Sequence, residues 1–457
     1  MKRLEQFSQE IKQCVLCGTC KSVCPTFSVI NRETASARGK VALCSAFLKG
    51  EIGLSERFTK HINECVLCGA CEESCPNDVH VPDIILAARR EIFKNNKVDF
   101  TRTAVSKLLG SEKIGNTVIK IASKVQNIFF KRVPEESGLH RRFPLPFINE
   151  KRLVPKLAEK FFLESVDQRS ESVALGFIPN EGPLPIKGNA TSPKIGFFAG
   201  CLINYIYPHI GEASLKVIEK AGASVIVPLD QSCCGMPAIG VGDIEAAKKL
   251  ALKNLEAFER YELDYITTAC ATCGHGLKRR FKDLLGNEYP ERINAFSNKV
   301  RDITELLVNE LGQGGYPSGN PSEGWVGMGG GKSEIASPLI KSVARNDITP
   351  NSLVTYHDPC HLSRGQGIKD EPRKLIEMSG HKFKEMNHPC RCCGLGGSFN
   401  ITNYELSMEI NREKAEDIKN TGADIAATAC PGCIMQIKDG LHKIGTKTKV
   451  MHVVELL

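Results

Sequence analysis

The chain has 457 residues, a formal charge of +8 and 42% hydrophobic residues, enough for roughly two to four domains with real cores. Lys and Arg are interleaved with Asp and Glu, and no apolar run approaches the roughly 18 residues of a membrane span, which argues against nucleic-acid binding and against a transmembrane helix. Twenty cysteines behind a polar start (Met1-Lys2-Arg3-Leu4-Glu5), with no signal-peptide pattern, point to metal binding in a reducing compartment rather than to a disulfide framework.

From the N-terminus, Cys14, Cys17, Cys20 and Cys24 followed by Pro25 spell CxxCxxCxxxCP, and the pattern returns as Cys65, Cys68, Cys71 and Cys75 followed by Pro76. This is the two-cluster ferredoxin spacing, in which the fourth cysteine serves the other cluster. Cys14, Cys17, Cys20 and Cys75 are therefore expected to hold one 4Fe–4S cubane, and Cys65, Cys68, Cys71 and Cys24 a second. Gly18 and Gly69 lie inside the ligand turns, where a missing Cβ lets the backbone wrap a cluster. The residues between the motifs read as helices. Leu43, Phe47 and Leu48 give an apolar face, Phe58 and Ile62 follow Ser55, and a further helix runs from Ile84 to Phe93 behind Pro82-Asp83. The unit over 1–97 looks like the α-helical ferredoxin of respiratory iron–sulfur subunits.

Residues 98–192 are expected to form a helical connector and linker. Val118, Ile119, Ile121, Val125, Ile128 and Phe129 trace an amphipathic helix, with Lys120, Lys124, Lys131 and Arg132 at its polar side. Such a helix lies on an anionic membrane, docks a partner or, as the favoured reading, packs on its own domain. Pro179 to Pro193 reads as a linker.

Two α/β lobes follow, expected at 193–311 and 351–457. Each repeats one cysteine pattern: Cys201, Cys233-Cys234-Gly235 and Cys270-Ala-Thr-Cys273, then Cys360, Cys392-Cys393-Gly394 and Cys430-Pro-Gly-Cys433. The lone cysteine precedes the pair by 32 positions in both, and the closing CxxC follows the pair by 36 and then 37. Five thiols exceed a tetrahedral zinc site and suit a polynuclear iron–sulfur cluster. Lys194–Gly200 and Leu353–Tyr356 read as strands delivering the first ligand, and Asp264–Thr268 and Asp424–Thr428 as strands delivering the CxxC. A further strand at Ala223–Leu229 and a helix at Asp243–Glu259 complete the first lobe's pattern. The lobes close on matching runs, Val300–Leu307 and Val450–Leu457. Strands alternating with helices predict parallel sheets, with the ligands at strand ends. The intervening 312–350 holds a Gly-rich run ending Gly327-Met-Gly-Gly-Gly-Lys332-Ser333. It lacks the first glycine of a phosphate-binding loop and is read as an inter-lobe loop. No GxGxxG opens a strand–helix unit convincingly, so flavin and nicotinamide are expected outside this chain.

The five-cysteine spacing resembles the CCG domain of the heterodisulfide reductase catalytic subunit, where two such domains each hold a non-cubane 4Fe–4S cluster and one attacks a disulfide. The whole order, two ferredoxin motifs and then two CCG domains, resembles the iron–sulfur subunits of glycolate oxidase, D-lactate dehydrogenase and anaerobic glycerol-3-phosphate dehydrogenase. His357-Asp-Pro-Cys-His-Leu362, Gly365-Gln-Gly367, Pro431-Gly-Cys433-Ile-Met-Gln436 and His452-Val-Val-Glu-Leu-Leu457 are similar to the glycolate oxidase subunit in particular. That subunit often lacks a cysteine at the place of Cys430, whereas both sets here are complete. The resemblance implies one or two CCG-type clusters beside the cubanes, with Cys201, Cys233, Cys234, Cys270 and Cys273 as one ligand set and Cys360, Cys392, Cys393, Cys430 and Cys433 as the other. It also implies an oxidoreductase subunit in the cytoplasm or at the inner membrane face, passing electrons from an FAD subunit that oxidises glycolate or D-lactate toward quinone or another acceptor. Disulfide reduction at a CCG cluster is the alternative, and no catalytic residue is assigned. Two cysteines stand apart. Cys44 is expected to be buried and inert, and Cys390 is a candidate exchangeable ligand or redox thiol. His275, His357, His361 and His388 flank the ligands as candidates for hydrogen bonding to sulfur.

Overall fold

The computed structural model describes residues 1–95, 112–132, 138–143, 149–173, 192–311 and 351–457. Residues 179–191 of the expected linker (179–193) and the Gly-rich run at 312–350 lie outside the described residues.

The N-terminal region is helical and gathers its own core from Leu4, Phe7, Val41, Cys44, Phe58, Ile62, Ile84 and Ile85. Ser36 caps the helix Ala37–Leu48 by accepting from Gly39 N, and Ser55 caps Glu56–Asn63 by accepting from Phe58 N, each satisfying an amide the helix itself cannot. Pro82 stands in the first turn of Val81–Lys94, where a missing N–H costs nothing. In Ala37–Leu48 the fully buried stripe is Ala37, Val41 and Cys44, and the expected face of Leu43, Phe47 and Leu48 is only partly buried against the core.

In the middle region the helix Glu112–Phe129 forms, with the expected polar side, at Lys120 and Lys124, exposed and part of the expected apolar side exposed as well. Val118, Ile121, Ile128 and Phe129 are exposed, while Ser123 and Gln126 are buried. The cause is local: the Gln126 amide donates to Leu157 O and accepts from Leu157 N, both at 2.9 Å. Lys131 and Arg132 leave the helix and lie on β1 (Phe130–Arg132), which pairs antiparallel with β2 (Leu139–Arg141).

Two four-stranded, all-parallel sheets follow. The first comprises β3 (Lys194–Phe197), β4 (Ser224–Ile226), β5 (Tyr265–Thr268) and β6 (Val300–Asp302), ordered β4-β3-β5-β6. The second comprises β7 (Leu353–His357), β8 (Lys382–Phe383), β9 (Ile425–Thr428) and β10 (Lys449–His452), ordered β10-β9-β7-β8. Counted in chain order, each sheet reads 2-1-3-4, so the chain reverses direction between its first and third strands. The crevice beyond the carboxyl ends of those two strands is where open α/β sheets place their sites. One continuous apolar core runs through both lobes. Among the described residues, no helix is long and apolar enough to cross a membrane.

Candidate iron–sulfur centres

The N-terminal ligand loops share one backbone solution. Leu16 and Leu67 both adopt φ 57°, and Gly18 and Gly69 follow at φ 90° and 75°, so each loop curls around the space its cysteines enclose. Cys14, Cys17, Cys20, Cys71 and Cys75 line one small cavity. Burial raises the Cys65 and Cys71 thiols, and the nearby Cys24 adds to both, with Cys68 and Cys65 adding to Cys71. Backbone amides point at sulfur in both places: Leu67 N to Cys65 Sγ at 3.5 Å and Val79 N to Cys75 Sγ at 3.4 Å. Cys17 is exposed, as are its neighbours Val15 and Leu16.

In the lobes, Cys201 follows β3, Cys360 follows β7, and Cys270 and Cys430 follow β5 and β9. Each CCG turn needs its glycine. Gly235 and Gly394 take φ +78° and +88°, and a Cβ on Gly394 would stand 2.5 Å from Ser407 O. The ten lobe thiols form a contiguous row. Cys201 meets Cys233, which adjoins Cys234, and Cys234 meets Cys273, which meets Cys270. Cys270 meets Cys430 across the lobe boundary, then Cys433, Cys393, Cys392 and Cys360 continue. Cys392 also meets Cys68 of the N-terminal region. Hydrogen bonding to Cys392, aided by the Arg364 guanidinium, holds the Cys68 thiol at about 6.

The two lobes meet at their strand ends. Ala271 N donates to Ala429 O at 3.1 Å, and the rings of His275 and His361 stack at 5.0 Å, 4° from parallel. His361 Nδ1 lies 3.0 Å from Thr272 Oγ1, which in turn lies 3.7 Å from Cys430 Sγ. Between the lobes opens a cavity of about 1260 Å³, walled by every lobe cysteine except Cys233 and Cys390, by Cys68, and by Lys278, Arg279, Arg280 and Arg364.

Of the histidines flagged in the sequence, His357 alone approaches sulfur closely: its ring, Cys393 Sγ and Cys433 Sγ bring their donor atoms within 4.8 Å of one another. It is fully buried, with neither ring nitrogen otherwise hydrogen-bonded. His388 contributes backbone contacts to Asp417 and Lys414 instead. Cys44 is fully buried, and burial pushes its thiol up to about 12. Cys390 Sγ lies 3.3 Å from Asp358 Oδ2, and burial with that carboxylate raises its thiol. Sequence reading missed Arg364. Its guanidinium reaches Cys360 Sγ and Cys68 O, both at 3.5 Å, and Cys390 O at 2.8 Å. An arginine one helical turn after Cys360 was the available signal.

The donor chemistry fits iron–sulfur clusters. The cysteines are free, most of them line shared cavities, and the buried His357 imidazole lies beside two of the thiols.

The comparisons with known proteins agree with this chemistry. Residues 10–79 match the 4Fe–4S dicluster domain, and 195–278 and 354–438 each match the cysteine-rich CCG domain. The chain is 29% identical to a probable glycolate oxidase iron–sulfur subunit of Bacillus subtilis, covering all of this chain and 97% of that protein. It is 30% identical to a fumarate reductase (CoM/CoB) subunit of Methanothermobacter marburgensis, covering 99% of this chain and 73% of that one. Lactate utilization protein A of an Exiguobacterium species is 29% identical over 58% of this chain and 97% of its own length. A solved structure of a hypothetical protein from Helicobacter pylori covers 99% of this chain at 10% identity, with a TM-score of 0.49. The chain belongs to the family of iron–sulfur oxidoreductase subunits that join a 4Fe–4S dicluster domain to two cysteine-rich CCG domains.

Proposed function

We propose that the chain is the electron-transfer subunit of a 2-hydroxy-acid dehydrogenase complex, acting with a partner FAD subunit on glycolate or D-lactate and delivering electrons toward quinone or another acceptor. The observation that carries this reading is the unbroken row of thiols from Cys68 through both lobes to Cys201. Full-length similarity to a glycolate oxidase iron–sulfur subunit supports it. Cys14, Cys17, Cys20 and Cys75 would hold one cubane, and Cys65, Cys68, Cys71 and Cys24 the other. Cys201, Cys233, Cys234, Cys270 and Cys273 would hold one CCG-type cluster, and Cys360, Cys392, Cys393, Cys430 and Cys433 a second. Bound clusters supply one-electron oxidation and reduction. The chain's own residues set spacing and potential. Amides of Leu67, Val79 and Gly394 aimed at Cys65, Cys75 and Cys392 favour added negative charge on sulfur. The exposed Val15–Cys17 loop offers the flavin subunit an approach to the first cubane.

The test is an anaerobic pull-down from the native cell, following visible absorbance as glycolate or D-lactate is added. Bleaching together with a co-purifying flavoprotein is the expected result. No bleaching by either acid in a complex that contains the flavoprotein would refute the dehydrogenase assignment.

One observation favours a second reading. The cavity between the lobes brings cysteines of both lobes to one space beside Lys278, Arg279 and Arg280, which suits an anionic disulfide reduced at a CCG cluster. Reoxidation of dithionite-reduced protein by a disulfide, with no response to hydroxy acids, would select it.

A further inference from the structure

The two lobes superpose by register, and the register exposes an inequality. Phe197 pairs with Thr267 and Phe198 precedes Cys201 by three, while His357 pairs with Thr428 and precedes Cys360 by three. The residue that is Phe198 in the first lobe is therefore His357 in the second. Four positions beyond the first ligand, Tyr205 in the first lobe corresponds to Arg364 in the second.

These exchanges fall on the ligands. Phe198 is fully buried, with its ring tilted against Phe258 at 6.0 Å, and has no polar atom to offer. His357 sits among Cys393 and Cys433. Tyr205 packs edge-on against Phe161 at 5.0 Å and lies near Cys201 and Cys233 with an uncharged phenol, whereas Arg364 directs a charged N–H at Cys360 Sγ from 3.5 Å. A third exchange sits deeper: Asn254, bonded to Cys233 O, matches the buried Lys414, whose ammonium reaches the carbonyls of His388 and Pro389. Asp417 lies 3.9 Å from that ammonium and Glu73 2.8 Å from Arg364, so neither cation acts at full strength. Arg364 keeps an N–H directed at Cys360 Sγ while Glu73 takes part of its charge, and His357 lies beside Cys393 and Cys433. Hydrogen bonds and positive charge at thiolate sulfur favour the reduced, more negative state of an iron–sulfur cluster.

We propose that the second lobe's site is the higher-potential of the two CCG sites, made so by His357 at Cys393 and Arg364 at Cys360, and that it is the lobe site that first takes an electron from the N-terminal cubane bound through Cys68. This rests on the reading that both lobes hold iron–sulfur clusters. The balance is one electron: the cubane is oxidised by one, the second-lobe cluster is reduced by one, and no bond forms or breaks. The ultimate donor is the reduced flavin of the partner. Position agrees with potential, because Cys68 meets Cys392 of the second lobe while the first lobe's thiols lie beyond Cys430.

The test is an EPR-monitored redox titration of the full chain, purified anaerobically, with iron and sulfide counted in every sample. Cys273→Ser, which removes a first-lobe ligand, assigns the two lobe signals. His357→Phe, which installs the first lobe's residue, should lower the midpoint of the second-lobe signal alone. His357→Gln, which keeps a donor, should restore most of it. Phe198→His should raise the first-lobe signal, a gain that damage to folding cannot imitate. With histidine labelled with nitrogen-15, the second-lobe signal should show a nitrogen coupling that His357→Phe abolishes. Full iron content with unmoved midpoints in both the His357→Phe and Phe198→His proteins overturns this inference and leaves the electron-transfer reading standing. A second lobe without iron in the wild-type protein overturns both.

Discussion

Asp302 and His452 occupy matching places at the ends of β6 and β10, each capping the turn that follows. Both are fully buried, and burial pushes the Asp302 carboxyl up to about 7 and the His452 imidazole down to about 4. Asp302 Oδ1 accepts from Thr304 N and Oγ1, and Oδ2 has no partner, an arrangement suited to a protonated acid. Because the folded value lies above the ordinary 3.8, this group's contribution to stability is complete below roughly pH 4 and is lost as pH rises through about 7. Asp302→Asn keeps the accepting oxygen, so its unfolding midpoint should fall less between pH 5 and pH 8 than that of the wild type. Parallel curves would contradict the neutral-acid assignment. At the ligands, Cys392→Ser or Cys393→Ser should remove one cluster's iron and leave the N-terminal signals intact; unchanged iron in both would sink the five-thiolate set. The thiols were legible in the sequence because a cluster fixes ligand type and spacing together. His357 was legible only as a neighbour. Its partner Cys393 is distant in sequence, and only the alignment of the lobes sets it against Phe198.

The elements that carry ligands were the most legible, since β3, β5, β7 and β9 each end two to four residues before a cysteine and each CCG glycine marks a left-handed turn. Gly394→Ala tests that turn. It forces a Cβ into Ser407 O at φ +88° and should cost about 1–3 kcal/mol or more in thermal unfolding, with loss of iron. Wild-type stability would show that the turn relaxes freely. The strands β1, β2 and β8 escaped the sequence. β8 is only two residues long, too short for alternation to register. In Glu112–Phe129 the period marked two faces but could not say which turns inward, because the deciding bonds run from Gln126 to Leu157.

At the scale of the molecule, the N-terminal region is fastened to both lobes by arginines. Arg89, fully buried, donates to Cys65 O at 2.6 Å and to Gly240 O at 2.9 Å. Arg280 pairs with Asp83 at 2.7 Å, and Arg364 and Lys369 hold Glu73 at 2.8 and 3.2 Å. None of these contacts was readable from sequence, since each joins residues more than 150 positions apart except those of Arg89 within its own region. Arg89→Ala leaves several carbonyls without a donor and should destabilise the chain by about 2–4 kcal/mol, read as a lowered thermal midpoint. An unchanged midpoint would mean that the other contacts hold the interface alone. The seam these arginines close is where Cys68 meets Cys392, so docking and electron transfer depend on the same surface.

The measurement that tests this most directly is freeze-quench EPR of the anaerobic complex mixed with glycolate or D-lactate. Cubane signals should rise, followed by a second-lobe signal that is absent from Cys392→Ser protein. Reduced cubanes beside permanently oxidised lobes would contradict a continuous path from the N-terminal region into the CCG sites.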